Sequence, residues 1–273
     1  MDHLNYDALN AAPPLQGWAL KQLMKTNDLK AALSKEELQT LYESYAKWAA
    51  WFDEYRDDDK DGNAQTEGMI ECGCEDSPLF AKYYVVDLPE INAELALLEE
   101  TIGDLAGMLD LSEEKEKWYA KSKEMIVKLL EIFWNGDRFV GFDHETKGII
   151  DTQSIQFYRP LILGNRLPQE VIDKMADDLS FANGFFTPYG FLSQHMASKE
   201  YSRLSLEGGS INAWDQIMIT TGLWDAGKAE QAKEAANAYC KGLENPMPSN
   251  YNASMGFDSA ETAAAYIILK ELA

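Results

Sequence analysis

Apolar positions recur along this chain with the 3.6-residue period of α-helices almost from end to end. After the Pro13-Pro14 stop, residues 15–26 place Leu15, Trp18, Ala19 and Leu23 on one side of a short helix. Ser34-Lys35-Glu36-Glu37 is a capping box, in which the Ser34 hydroxyl and the Glu37 carboxylate satisfy orphan backbone donors. The helix it opens runs to about Tyr55, with Leu38, Leu41, Tyr42, Tyr45, Trp48, Ala49 and Phe52 at helical spacing. So much aromatic surface on one face must be buried against other helices. Pro89 sits in the first turn of the next helix, where its missing N–H costs little. That helix carries Ile91, Leu95, Leu98, Ile102 and Leu105 and fades at Gly107. Residues 111–134 form a clear amphipathic helix, ended by Asn135-Gly136, and residues 139–143 read as a short hairpin. Residues 155–163 and 168–179 are a helix pair around Gly164-Asn165; residues 211–223, 228–240 and 259–272 complete the set.

Short and long connections alternate. Paired antiparallel helices produce this when short turns lie at one end and functional loops at the other. There are too many helices for one four-helix core and no fixed-period repeat for a solenoid. The expected fold is all-α, a toroid of antiparallel helical hairpins with little strand.

Two segments interrupt the helical pattern, residues 57–83 and 183–209. Long loops in compact domains are uncommon and are usually functional or disordered. The first contains Glu71-Cys72-Gly73-Cys74-Glu75-Asp76-Ser77-Pro78. Proline restricts the residue before it, so this turn is stiff, and the adjacent acids Glu75 and Asp76 are placed to present a carboxylate into a cleft. Acids in loops are otherwise solvated surface. Upstream, Asp57, Asp59, Asp61 and Gly62 match positions one, three, five and six of a calcium loop. The twelfth position is Gly68, with Glu67 one residue early, so a solvated acidic turn is the preferred reading and a bound cation the alternative.

At 273 residues the chain is long enough for one large core or two small ones. A net charge of -22 argues against nucleic acid or an anionic membrane surface as partner, and suits a neutral or cationic ligand. Three cysteines, Cys72, Cys74 and Cys240, point to a reducing compartment. The histidines are His3, His144 and His195, and no second ligand pair adjoins Cys72-x-Cys74, so no structural zinc is expected. The first residues lack a secretory pattern, and no apolar run approaches the ~20 residues of a membrane span. The expectation is a cytoplasmic protein.

Several motifs, taken in order, resemble one known family. They are Pro13-Pro14-Leu15-Gln16-Gly17-Trp18, Arg56-Asp57-x-Asp59-x-Asp61-Gly62, Glu71-x-Gly73-x-Glu75-Asp76-Ser77-Pro78, Pro160-Leu161-Ile162-Leu163-Gly164, Thr187-Pro188-Tyr189-Gly190, Asn250-Tyr251-Asn252 and Thr262-Ala263-Ala264-Ala265. The series resembles glycoside hydrolase family 63 and its mannosylglycerate-hydrolase-like relatives over nearly the whole chain. The resemblance implies an (α/α)6 barrel, here one catalytic domain over residues 1–273 that lacks the first helices of the family barrel. It implies an inverting glycosidase acting on an α-linked glucoside or mannoside, with an oligosaccharide or small glycoside as substrate and no cofactor. The family's general-acid aspartate is matched by Glu75, one methylene longer, with Asp76 beside it as a substrate contact. The family's base position is Ser249, which cannot take a proton from water at neutral pH; Glu244 is the nearest upstream carboxylate. Glu207-Gly208-Gly209-Ser210 stands where the family has Trp-Arg-Gly-Pro, removing an aromatic and an arginine. Trp18, Trp214 and Tyr251 are the candidate sugar-lining aromatics. The alternative is a catalytically impaired carbohydrate- or protein-binding module on the same fold. An incomplete barrel also leaves an apolar edge, to be covered by residues 1–14 or by a second copy in a homo-oligomer.

Overall fold

The computed structural model describes residues 11–74, 77–150, 152–202, 205, 208–244 and 260–273. Its α-helices are α1 (Gln16–Met24), α2 (Leu29–Ala32), α3 (Lys35–Tyr55), α4 (Gly68–Glu71), α5 (Pro89–Met108), α6 (Ser112–Phe133), α7 (Gln169–Asp178), α8 (Ala213–Asp225), α9 (Ala229–Glu244) and α10 (Ala260–Lys270). The capping box at the start of α3 forms as read: Ser34 Oγ accepts from Glu37 N at 3.2 Å, and Glu37 Oε2 accepts from Ser34 N at 2.8 Å. Pro89 opens α5.

The segment around Arg159 is a 3-10 helix, Ile155–Arg166, instead of an α-helix. Pro160 has no N–H to donate within it, and Gly164 breaks it at φ 56°, ψ -131°. A Cβ on Gly164 would lie 2.8 Å from Asp225 Cβ, so glycine is needed both for the backbone angle and for the approach of α8.

Four inner helices run in the same direction, and their ion pairs give the register. Arg159 meets Glu90 and Asp215 near the starts of the 3-10 helix, α5 and α8. Arg166 meets Glu100, Lys21 meets Glu100 and Asp104, and Lys25 meets Asp225 toward their ends. The outer helices run back. Tyr119 and Lys115 of α6 pack over Gly103 and Gly107 of α5, and Ser122 Oγ donates to Ala96 O at 2.7 Å. Leu38 at the start of α3 clusters with Leu105 and Leu109 at the end of α5. This is the expected hairpin toroid. The described residues are 60% helical and among them no complete barrel closes.

α5 is buried on all sides, which its sequence achieves with Ala93, Ala96, Gly103 and Ala106 among the larger residues. The backbones of α1 and α5 nearly touch at Gly17, where a Cβ would lie 2.3 Å from Leu98 Cα.

Two small sheets decorate the loop end. β1 (Gln65–Glu67), β2 (Val85–Asp87), β3 (Gly141–Asp143) and β4 (Ile149–Ile150) form an antiparallel sheet in that order. β5 (Phe186–Thr187) and β6 (Gly190–Phe191) form a hairpin held by Gln216, whose side chain donates to Phe191 O and accepts from Phe191 N. The hairpin expected at 139–143 is therefore wider: β3 pairs with β4 and also with β2.

A groove of about 510 Å³ lies between α1, α8 and α10, bordered by Leu23, Trp224, Ile267 and Ile268. The start of the described chain does not cover it. Ala11 instead donates its N–H to Glu71 Oε1 at 3.2 Å. No helix among the described residues is long and apolar enough to cross a membrane.

Candidate active site

The stiff acidic turn is tied down on both sides. On the upstream side Glu71 is fully buried and accepts from Arg56 Nε at 3.0 and 2.9 Å, and also from Arg56 Nη2. It takes Ala11 N and Glu67 N as well, so one carboxylate anchors three chain segments. Arg56 lies over the Trp51 ring, 4.7 Å from its centroid. Cys72 O then accepts from Arg159 Nη1 at 3.3 Å. On the downstream side Ser77 Oγ donates to Gln156 Oε1 at 3.0 Å.

Arg159 is the polar centre beneath this turn. Its Nε donates to Asp215 Oδ1 at 2.9 Å and its Nη1 to Glu90 Oε2 at 3.3 Å. Glu90, Glu94 and Asp215 are all buried. Burial pushes the Glu90 carboxyl up to about 7, against Arg159 and with help from Asp215. Burial likewise raises Glu94 well above the ordinary range, and raises Asp215 in spite of Arg159. Glu90 Oε1 and Asp215 Oδ2 are buried without a hydrogen-bond partner. The site floor thus holds one guanidinium among three carboxyl groups, each pushed up by burial.

The sequence did not single out Arg159, Glu90, Glu94 or Asp215. The signal was there for the two glutamates: Glu90 and Glu94 are four apart, one turn of the helix, among Ile91, Leu95 and Leu98. Asp215 was hidden in the first turn of α8, where an acid is ordinary helix chemistry.

The proposed acid and its neighbour, Glu75 and Asp76, lie outside the described residues, as do Glu207, Ser249 and Tyr251. Trp214 lies in the first turn of α8, one residue before Asp215, and is 41% exposed, at the same end as the turn. Trp18 is elsewhere. It is buried in the core and borders a cavity of about 690 Å³ with Asp104, Arg166 and Asp225, at the far ends of the inner helices. None of the turn residues lines that cavity. Trp18 therefore lies apart from the turn, packed in the core beside that cavity. A smaller cleft of about 280 Å³ opens beside Ser154, between Tyr158, Asp178, Phe185 and His195.

Glu244 ends α9, and its carboxylate is held at the surface by Tyr266 Oη and Lys270 Nζ, both at 2.7 Å. The Lys270 hydrogen bond keeps its carboxyl below the ordinary range. These contacts suit a surface ion pair better than a proton acceptor.

Asp57, Asp59 and Asp61 do converge, with one oxygen of each within 4.8 Å of the others. Their oxygens accept backbone N–H groups of the turn, from Gly62 at 3.2 Å, Asp61 at 3.3 Å and Asn63 at 2.7 Å. Lys147 Nζ donates to Asp59 at 2.7 Å and to Asp87 at 3.0 Å, and His144 bridges Asp87 and Asp58. The turn caps itself and takes its counter-charge from Lys147.

The chain is a toroid of helical hairpins with an anchored turn at the starts of its inner helices. Solved structures share this fold. The chain is similar to the family 63 mannosylglycerate hydrolase of Thermus thermophilus in complex with glucose. The TM-score is 0.78 at 17% identity, over 95% of this chain and 76% of that one. The same enzyme with Tris and D-glycerate gives 0.79 at 16% identity, over 95% and 78%. The neutral trehalase of Saccharomyces cerevisiae gives 0.58 at 15% identity, over 75% and 41%. No curated protein matches the chain by sequence. The model of the mannosylglycerate hydrolase MGH1-like glycoside hydrolase domain matches residues 5–253, and the chain belongs to that family. It is a glycoside hydrolase.

Proposed function

We propose that this single catalytic domain hydrolyses an α-linked glucoside or mannoside with inversion, and that Glu75 is the general acid. The observation that carries the reading is the double anchoring of the turn that bears Glu75. Arg159 holds Cys72 O, Gln156 holds Ser77, and both anchors sit at the start of the same inner helix. A general acid must be held within hydrogen-bond reach of the leaving oxygen, and such anchoring supports that role. Trp214, exposed at the same end, offers a flat apolar face for a sugar ring. Membership of a hydrolase family does not favour the binding-module alternative.

Inversion needs a second carboxylate about 6.5–9.5 Å from the acid, with water between them. Glu244 reaches that role only by releasing Tyr266 and Lys270. The names of the relatives put mannosylglycerate first among substrates to try, followed by α-glucosides and α-mannosides of increasing size. Glu75→Gln keeps the shape and removes the transferable proton, so turnover should fall on the order of a hundredfold or more. Proton NMR of the first-formed sugar anomer reads the stereochemistry, and a retained anomer would overturn the inverting assignment. Loss of hydrolysis in Glu244→Gln assigns Glu244 as base. Full hydrolysis in Glu244→Gln, with a gain from Ser249→Glu, assigns the Ser249 position. Undiminished turnover in Glu75→Gln removes Glu75 from the mechanism.

A further inference from the structure

We propose that Cys72, Cys74 and Glu90 form a binding site for a thiophilic divalent cation, with zinc the best-suited ion. Cys72-x-Cys74 has no second ligand pair nearby in the sequence, but the fold brings a carboxylate to it from the first turn of α5. The two thiol sulfurs and a Glu90 carboxylate oxygen all lie within 4.8 Å of one another. Gly73 between the cysteines has φ 65°, a left-handed angle that lets the turn fold back so sharply. Neither cysteine is in a disulfide, and relative exposures are 5% for Cys72, 0% for Cys74 and 2% for Glu90.

The second observation is the state of Glu90 itself. Its Oε2 is taken by Arg159, while Oε1 is buried with no partner. A buried oxygen left unpaired costs ~1–3 kcal/mol, more if charged, so such atoms call for an explanation. A cation between the two sulfurs supplies one.

The chemistry of the donors selects the ion. Two sulfurs and one oxygen suit zinc and its softer analogue cadmium, and do not suit calcium or magnesium, which take oxygen ligands. Tetrahedral zinc with Zn–S bonds of ~2.3 Å places its sulfurs about 3.8 Å apart, so the turn needs to contract by no more than about 1 Å. Binding releases both thiol protons to solvent. Two thiolates and one carboxylate around a doubly charged ion leave one negative charge, and Arg159, 3.3 Å from Glu90, balances it. The fourth position is left to water or to another oxygen. A loaded site cross-links the turn that leads directly into Glu75 to the start of α5. Metal binding at these residues is independent of whether the chain hydrolyses a glycoside.

The test is metal binding by the full chain carrying Cys240→Ser, which removes the third thiol. Titration with cadmium should give a thiolate-to-metal absorption band that saturates at one equivalent and is displaced by zinc. Cys72→Ser and Cys74→Ser should each abolish the band, and Glu90→Gln should weaken binding at least ~tenfold. Should a cysteine variant fail to fold, pulsed alkylation of wild type read by mass spectrometry replaces it. Zinc should then slow modification of Cys72 and Cys74 and leave Cys240 unchanged. The proposal fails if wild type shows no band at stoichiometric cadmium. It also fails if zinc protects neither thiol, or if Asp59→Asn abolishes binding while Cys74→Ser does not.

Discussion

Replacing Glu71 by glutamine removes one charge from the most heavily bonded side chain beside the turn. Glu71 accepts from Arg56 Nε and Nη2, from Ala11 N at 3.2 Å and from Glu67 N at 2.8 Å, with its side chain fully buried. Breaking a buried ion pair from one side costs ~3–5 kcal/mol, because the remaining charge is left uncompensated. Two features soften this. Glu67 lies 3.6 Å from Arg56 Nη1, and the Trp51 ring faces the guanidinium. The lower end, about 3 kcal/mol, is therefore expected, a large share of the ~5–15 kcal/mol that stabilises a typical protein. For a chain of this size the urea slope lies toward the top of the usual range, ~2–3 kcal/mol per M, so the unfolding midpoint should fall by about 1–1.5 M. The joint variant Arg56→Met with Glu71→Met should recover most of that loss, since apolar replacement of both partners leaves no unpaired charge. A midpoint shift below about 0.3 M for Glu71→Gln would refute the reasoning. A joint variant as unstable as the sum of the single ones would also refute it.

Stability should depend on pH in a direction set by the buried acids. Burial raises Glu90 and Glu99 to about 7 in the folded chain, so the native state binds their protons more tightly; the stability they contribute is complete below about pH 4.3 and is lost by about pH 7. Glu100 behaves oppositely: burial works against it, but Arg166 and Lys21 hold it at about 2, so its contribution is present above about pH 4.3 and lost on acidification. Urea midpoints should therefore peak near pH 4–5 and decline to pH 7, and a rise between pH 5 and 7 contradicts this balance. Gly17→Ala should destabilise by ~1–3 kcal/mol or more, because its Cβ meets the α5 backbone. Gly107→Ala, which meets only the flexible Lys115 side chain at 3.3 Å, should be neutral or stabilise by ~0.5–1 kcal/mol; calorimetric melting separates the two.

The parts of the fold legible in the sequence are those in which a local pattern decides the outcome. Ser34 and Glu37 are three residues apart and cap each other, and Pro89 can only open a helix, so α3 and α5 begin where the spacing puts them. β1 and β2 are three residues each, too short to show an alternation; they pair with each other, and β3 joins β2 from more than fifty residues away. The 3-10 helix around Arg159 has the apolar spacing of an α-helix; what changes it is the break at Gly164 demanded by the approach of α8. The site was half legible for the same reason. Glu71 to Pro78 is a contiguous motif, whereas Arg159 joins Glu90 and Asp215 only after three inner helices align. An aromatic near a helix start, such as Trp18, carries no mark in the sequence of which end of the toroid it faces.

That alignment also explains why so many acids tolerate burial in one place. Glu90 and Asp215 each lie in the first turn of an inner helix, where the unpaired N–H groups and the helix dipole favour negative charge. Arg159 adds a full positive charge between them. Even so, desolvation outweighs the attraction for Glu90, whose carboxyl rises to about 7 instead of falling. The balance is sensitive to the single guanidinium. Removing it leaves Glu90 and Asp215 facing each other with burial alone, which drives both toward the neutral form. It also frees Cys72 O and with it one anchor of the turn. Arg159 therefore couples the proton affinity of the floor to the position of the turn above it. The two effects separate in practice: a change in floor protonation moves with pH, and a displaced turn does not.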